Sequence, residues 1–271
     1  MKLTYYKFNP TGNITLIVET PVPRESQSRI AAQLMALDKD AEQVGFLEPA
    51  SSECALMRLQ MMGGEFCGNA SICAASLLSE MLPADSDGVK RISLEVSGVP
   101  ELVGVSVEAL SNDCWRATVD MPFPESVYDF TFFDGFDTYT FPLVRFPGIA
   151  HAIVTKPFSA ELAERVIADW CRQAKTEALG LMFLNESSHR LEPYVYVAST
   201  DTAVWESSCA SGTTAVAVWL SKLRRKAAKA SLHEPGGTLT AEAQLSSEAP
   251  EYIRLTGKAE LLGKYSLEIS T

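Results

Sequence analysis

Two cysteines stand where the chain passes from small residues into an apolar run. Cys67 lies in "GGEFCGNASICAASLL" (Gly63 to Leu78), and Cys209 lies in "WESSCASGTTAVAVWL" (Trp205 to Leu220). Each is followed by a small polar triplet, Gly68-Asn69-Ala70 or Ala210-Ser211-Gly212, and then by helix-like sequence. A thiol at a helix N-terminus meets backbone N–H groups that lower its pKa, and the thiolate is its reactive form. Those N–H groups have no partner within the helix and bind anions, carboxylates included. One thiolate and one thiol of matched proton affinity can take an α-proton from one face of an amino acid, return one to the other face, and then exchange roles. The helix ends would also stabilise the dianionic enolate formed in between.

The other four cysteines, Cys54, Cys73, Cys114 and Cys171, read as core, where free cysteine usually packs. CxxC and zinc spacings are absent, and the three histidines (His151, His189, His233) lie far apart, so no metal is expected. Six cysteines in 271 residues do not make a disulfide framework. Thiols point to a reducing compartment, and "MKLTYYKFNPTGN" lacks the apolar centre of a signal peptide, so the expected location is the cytoplasm. No apolar run reaches the length of a membrane helix, so no membrane partner is expected. A formal net charge of -11 argues against nucleic acid as a partner. The basic run "KLRRKAAKA" (Lys222 to Ala230) reads as the solvated end of the second cysteine helix, where positive charge suits the helix dipole.

The elements that must position these cysteines recur. "NITLIVET" reads as a strand, "SQSRIAAQLMAL" as a helix with a Ser cap, and "QVGFLEP" and "CALMRLQMM" as strands leading to Gly63-Gly64 and a helix from Gly68 or Asn69. "RISLEVSG" and "ELVGVSVEAL" read as strands around a Gly98-Val99-Pro100 turn, and "CWRATVDMPFP" closes the half. The second half repeats the plan. "TYTFPLVRF" and "HAIVTK" are strands, and Ser159 to Lys175 is an amphipathic, Ser-capped helix. "ALGLMFLNES", "LEPYVYVAST" and "AVWESSC" follow as strands, then a helix from about Ser211 to Lys229. "GGTLTAEAQL" and "YIRLTGKAELLGKYSLEIS" are the closing strands. The cysteines stand roughly 140 residues apart, half the chain, as a duplication requires. Such a duplication predicts pseudo-twofold symmetry, with the two thiols facing across an interdomain cleft.

The motifs resemble those of the pyridoxal-phosphate-independent diaminopimelate epimerase superfamily over nearly the whole chain. "FNPTGNITLIV", "DAEQVGFLE", "EFCGNA", "ATVDMPFP", "IAHAIV", "CASGTTA" and "EPGGTL" match its segments in order. The resemblance implies an α+β fold of two pseudo-symmetric domains, each a curved mixed sheet or barrel around a central helix. Residues 1–125 would carry Cys67, with 260–271 packing back on them, and 126–259 would carry Cys209. It implies catalytic roles for Cys67 and Cys209 and substrate-side roles for Asn13, Gln43, Gly68, Asn69, His151, Ala210 and Ser211. Asn13 also suits a turn in "PTGN", and His151 also suits a structural, hydrogen-bonded histidine.

In "IAHAIV" the family's Asn-Pro before His151 is replaced, and two further segments depart from the diaminopimelate epimerase pattern. The Glu-Arg-Gly-x-Gly-Glu-Thr stretch before the second cysteine shrinks to "WESSC", keeping Glu206 but no Arg, and the segment before the first becomes "MMGGEFC". Recognition of a distal carboxylate normally needs that Arg. The shortened loops, with "FNPTGN", "GGEFCGNA" and "LHEPGGTL", resemble the histidine racemase branch, which includes racemases that make D-histidine for opine-type metallophores. This implies a small amino-acid substrate, histidine, with no pyridoxal phosphate or other cofactor, and allows a homodimer. An imidazole calls for acceptors, which Glu65 and Glu206 beside the cysteines would supply, although both also suit solvated carboxylates at helix starts. Met61, Met62 and Phe66 suit either a side-chain pocket or packing. The competing readings are an epimerase of diaminopimelate or proline type, a thiol redox protein, and a non-catalytic amino-acid-binding protein.

Overall fold

In the computed structural model, which describes residues 1–245 and 251–269, the chain divides into two compact units: Met1–Met121 with Thr256–Thr271, and Pro122–Leu255. The end of the last predicted strand, Ser270, and Thr271 lie outside the described residues.

The first unit contains β1 (Lys2–Asn9), β2 (Thr15–Val18), α1 (Arg24–Leu37), β3 (Gln43–Glu48), β4 (Met57–Met61), α2 (Gly68–Ser79), β5 (Lys90–Val96), β6 (Val103–Ser111) and β7 (Cys114–Asp120). The second contains β8 (Ser126–Phe133), β9 (Thr138–Phe146), β10 (Ile149–Val154), α3 (Ala160–Ala174), β11 (Ala178–Asn185), β12 (Arg190–Val197), β13 (Thr202–Trp205), α4 (Ala210–Arg224), β14 (Ala228–Glu234) and β15 (Gly237–Gln244). A final strand, β16 (Tyr252–Glu268), contributes its residues from Thr256 onward to the first unit.

In the first unit β1 to β7 follow one another in spatial order, and β16 pairs with both β7 and β1. Eight strands therefore close into a barrel, which leaves no edge to pair with another chain. The Thr118 and Thr256 hydroxyls, 2.8 Å apart, join β7 to β16 on the seam. Helix α2 fills the interior, contacting β2, β3, β5, β6 and β7. Every residue of α2 except Leu77 is buried. That explains its run of Gly, Ala and Ser: small side chains let a helix fit inside a ring of strands. The Ser71 and Ser79 hydroxyls bond back to the Cys67 and Ser76 carbonyls rather than facing apolar neighbours unpaired. Helix α1 packs outside, with Ile30, Ala31 and Leu34 against Leu3, Leu16, Val18 and Phe46.

The second unit repeats this plan. Antiparallel β9–β10, parallel β10–β11 across α3, antiparallel β11–β12 and parallel β12–β14 across α4 reproduce β1 to β5 pair by pair. Hairpin β14–β15 stands where β5–β6 stands, and β8 flanks β9 as β16 flanks β1. Helix α3 buries Val166, Ile167 and Trp170, and Trp170 stacks on Phe132 at 4.6 Å. Helix α4, like α2, is buried through most of its length, against β9, β10, β14 and β15. The α+β fold of duplicated mixed sheets, each with a cysteine helix at its centre, is thus as expected.

Several boundaries differ from expectation. Helix α1 begins at Arg24 behind Pro23, and no serine side chain caps it. Helix α4 stops at Arg225, which is left-handed with φ 52, so the basic run divides between the helix end and a strand. Lys222 there reaches the Val127 carbonyl, and Lys229 pairs with Glu242 across β14–β15 at 2.7 Å. Strands β1, β8 and β14 had no counterpart in the sequence reading. Ser159 caps α3 as predicted, accepting from the Leu162 N–H at 3.1 Å.

Candidate active site

Cys67 is the N-cap of α2, extended at φ -131 and ψ 110, and its sulfur accepts the Ala70 N–H at 3.4 Å. Cys209 is the N-cap of α4, at φ -126 and ψ 102, and its sulfur accepts the Gly212 N–H at 3.4 Å. Both thiols therefore occupy the position where Ser or Asp usually satisfies a first-turn donor. The same geometry arises twice because the same local sequence, Cys followed by small residues, follows a strand and a tight loop twice.

In the first unit, the strand end after α2 braces the loop before Cys67. Ser97, just past β5, donates its hydroxyl to the Glu65 carbonyl at 2.7 Å and accepts the Met61 N–H at 2.9 Å. Gly98, with φ +81, passes so close to the Phe66 backbone that a Cβ there would collide with it. Asn13 is buried in the turn entering β2 and donates to Glu42 at 2.6 Å. Its carbonyl accepts the Thr15 hydroxyl at 2.9 Å. Gln43 opens β3, and Asn69 lies buried in the first turn of α2 behind Gly68. Burial raises the pKa of the Glu65 carboxyl, partly offset by its own N–H and that of Gly63, so Glu65 folds back on its own loop. Met61 is buried in β4, and Met62 packs towards α1, so both serve packing.

In the second unit, Cys209 is buried among polar groups. Ser211 Oγ lies 3.6 Å from its sulfur and 2.9 Å from His151 Nε2, which links β10 to the mouth of α4. His151 is fully buried; burial drops its pKa to about 3, so the imidazole is neutral at physiological pH. Gly180 makes room for that ring, because a Cβ there would collide with Nδ1. Ala210 is buried in the first turn. Glu206, in the loop before α4, hydrogen-bonds the Cys209 thiol. Burial, with Glu206 and Glu234 adding negative charge, pushes the Cys209 thiol well up. This corrects the expectation that the helix start lowers its pKa.

Four predicted binding residues share a property that sequence does not display. Asn13 Oδ1, Gln43 Oε1, Asn69 Oδ1 and His151 Nδ1 are buried with no hydrogen-bond partner. Such atoms are rare in folded proteins and call for a partner, whether a water or a ligand; Arg58 Nε, Ser76 Oγ and Ser208 Oγ share the property. Of the other cysteines, Cys73, Cys114 and Cys171 are buried as expected, but Cys54 is exposed in a turn. An apolar stretch follows Cys54, yet β4 begins only at Met57, so the cysteine falls outside the strand that was to bury it. Among the described residues, no group of three or more His, Cys, Asp or Glu is placed to hold a metal ion, and no helix is long and apolar enough to cross a membrane.

Sequence reasoning missed Glu234 and Thr213. Glu234 Oε2 accepts the Cys209 N–H at 2.6 Å, and the Thr213 hydroxyl donates to its other oxygen. The available signal was the alternation of "AKASLHE", whose inward positions are Ala228, Ala230, Leu232 and then a carboxylate.

Duplicated sheets, each wrapped on a buried helix that a cysteine caps, give a fold that the chain shares with solved epimerases. The fold matches the crystal structure of a hydroxyproline epimerase from Agrobacterium vitis with bound trans-4-OH-L-proline, at a TM-score of 0.72 and 14% identity, over 98% of this chain and 92% of that one. The model described as the histidine racemase CntK N-terminal domain matches residues 2–264, and the chain belongs to this family. It is 33% identical over 244 residues to a histidine racemase of Fusobacterium nucleatum, covering 88% of each chain. It is 30% identical over 247 residues to a histidine racemase of Staphylococcus aureus, covering 88% of this chain and 87% of that one. The chain is an isomerase of the racemase type.

Proposed function

We propose that the chain interconverts L- and D-histidine without pyridoxal phosphate, with Cys67 and Cys209 as the two proton carriers. The observation that carries this reading is the repeated cap: at each of two buried helices, a cysteine sulfur accepts a first-turn N–H. The named activity of relatives spanning 88% of the chain supplies the substrate.

In this mechanism one sulfur starts as thiolate and the other as thiol. The thiolate takes the α-proton and forms S–H. The electron pair of the broken C–H bond moves into the carboxylate as an enediolate. The other thiol then gives its proton to the opposite face of the α-carbon, and the cysteines have exchanged roles with no change in oxidation state. Burial, with Glu206 and Glu234 beside it, favours the protonated form of Cys209. First-turn N–H groups at Gly68-Asn69 and Ala210-Ser211 hold the carboxylate and stabilise the enediolate. The unbonded carbonyl oxygens of Asn13, Gln43 and Asn69 match the N–H donors of an α-ammonium or an imidazole, and Glu206 supplies a further acceptor. His151 acts through Ser211. Free thiols in this role require a reducing compartment, in keeping with the cytoplasm.

Loss of the α-proton signal by NMR in deuterated buffer tests this directly. Reduced protein is incubated with a panel of L-amino acids that includes histidine, proline and diaminopimelate. Exchange confined to histidine, with the D-enantiomer appearing on chiral chromatography, is the expected result. Exchange with another member alone removes histidine as substrate, and exchange with none removes the reaction.

A further inference from the structure

Glu234 is a buried carboxyl that bonds the backbone of Cys209. It ends β14, and Pro235-Gly236 turn the chain immediately after it. Its two oxygens bond α4 at two places: the Cys209 N–H at the N-cap and the Thr213 hydroxyl one turn on. The Gly236 N–H donates to the Ser207 carbonyl at 2.7 Å, so the same turn also holds the residues before the cysteine. Ser208 and Cys209 are thus pinned from both sides by one strand end.

The duplicated half gives a control within the molecule. The strand following the first cysteine helix, β5, also has seven residues and also ends before an X-Gly pair, Ser97-Gly98. Its last residue is Val96, buried and apolar, where β14 has Glu234. Each half therefore ties the loop before its cysteine to the turn after the strand, through the Ser97 hydroxyl in the first and the Gly236 N–H in the second, while only the second has a carboxyl at the strand end. A fold that needed only the brace would keep an apolar residue here, because burying a carboxyl costs stability.

We propose that Glu234 is a positioning residue that fixes Cys209 at the mouth of α4 and, by holding or losing its own proton, sets whether Cys209 can exist as a thiolate. The proposal rests on Cys209 being one of the two proton carriers. Two carboxyls and a thiolate cannot all be charged in so small a buried space. With Glu234 neutral, Cys209 can pass its proton on. With Glu234 ionised, Cys209 is held as thiol and the half of the cycle that needs its thiolate stops. Burial pushes Glu234 up to about 8, so the change falls just above neutral pH. The titratable groups that act on it are Cys209 and Glu206 from the segment entering α4; Arg190 of β12, paired with Glu192, and His233, on the outward face of β14, line a pocket beside it. Strand β15 brings no carboxylate to it, since Glu242 pairs with Lys229 at the other end of β14.

Glu234→Gln keeps an acceptor for the Cys209 N–H and cannot ionise. Peptide-resolved alkylation by iodoacetamide across pH 6–10, on the full chain, reads each thiol without requiring turnover. The expected result is a Cys209 midpoint lower by about one pH unit in the variant, with Cys67 unmoved, because one buried negative charge has gone. A Cys209 profile unchanged by the substitution overturns the proposal. Wild type alone gives a second reading if the variant does not fold. Its Cys209 alkylation rate is expected to rise less than about tenfold per pH unit around pH 8, because Glu234 ionises there and opposes the thiolate. A simple one-proton curve overturns the proposal as well. The alkylation result is separate from the racemase reading: loss of proton exchange with every amino acid removes the reaction, whatever Cys209 does.

Discussion

At the scale of the residue, the two sulfurs have different surroundings. Cys67 is half-buried at the start of α2, whereas Cys209 is buried with Glu206, Ser211 and Glu234 around it. An acid–base pair must still match at the moment of transfer, so neither can be replaced by a weaker acid. Cys67→Ser and Cys209→Ser are each expected to lower histidine racemisation at least about 100-fold, since a hydroxyl does not form the anion needed near neutral pH. The change is nearly isosteric, so circular dichroism and Tm should stay close to wild type. Full activity in either variant would sink the two-base mechanism. Both cysteines were legible because residue type and the small residues after them carry the signal locally. Glu234 was not, because it touches Cys209 only after β14 and α4 come together. Glu206 and Glu65 were both named by adjacency to a cysteine; the Glu206 carboxyl meets the Cys209 thiol, while the Glu65 carboxyl turns onto its own loop.

At the scale of the element, position comes from the strand ends that follow the cysteine helices. Gly98 shows how tightly the first is fitted. Its φ of +81 disfavours any side chain, and a Cβ would meet the Phe66 backbone, one residue before Cys67. Gly98→Ala is expected to cost about 1–3 kcal/mol in stability and to displace Cys67, so racemisation should fall more than the loss of folded protein explains. Thermal unfolding and activity per folded molecule, measured together, check this; unchanged activity would show that the loop does not position the sulfur. Elements with strong periodicity or a single cap, such as α3 with Ser159, were readable from sequence. Strand β8 was not, because it alternates little between buried and exposed positions. The end of α4 was misplaced because the lysines and arginines continue past it, and charge does not tell a helix from a strand. Arg225 ends the helix by its left-handed backbone, a conformation its residue type does not announce.

At the scale of the whole molecule, the second unit combines two buried titratable groups whose shifts run in opposite senses, and this sets how stability depends on pH. Burial lowers His151 from 6.5 to about 3, so between those values the unfolded chain binds a proton that the folded one refuses. Stability therefore falls as pH drops through that range, by about 1.4 kcal/mol per unit. Burial raises Glu234 from 4.5 to about 8, so between those values the folded chain holds a proton that the unfolded one has lost. Its contribution is complete below 4.5 and is lost as pH rises towards 8. From 4.5 to 6.5 the two slopes cancel; below that window His151 alone acts, and above it Glu234 alone. Wild type should then show a plateau in Tm, with a fall on either side. Glu234→Gln removes the alkaline fall and exposes the His151 slope within the plateau, so its Tm should rise with pH up to about 6.5 and then level. A variant whose Tm tracks wild type from pH 4.5 to 8 would mean that Glu234 is ionised in the folded protein throughout, which would remove the proton that the control of Cys209 depends on.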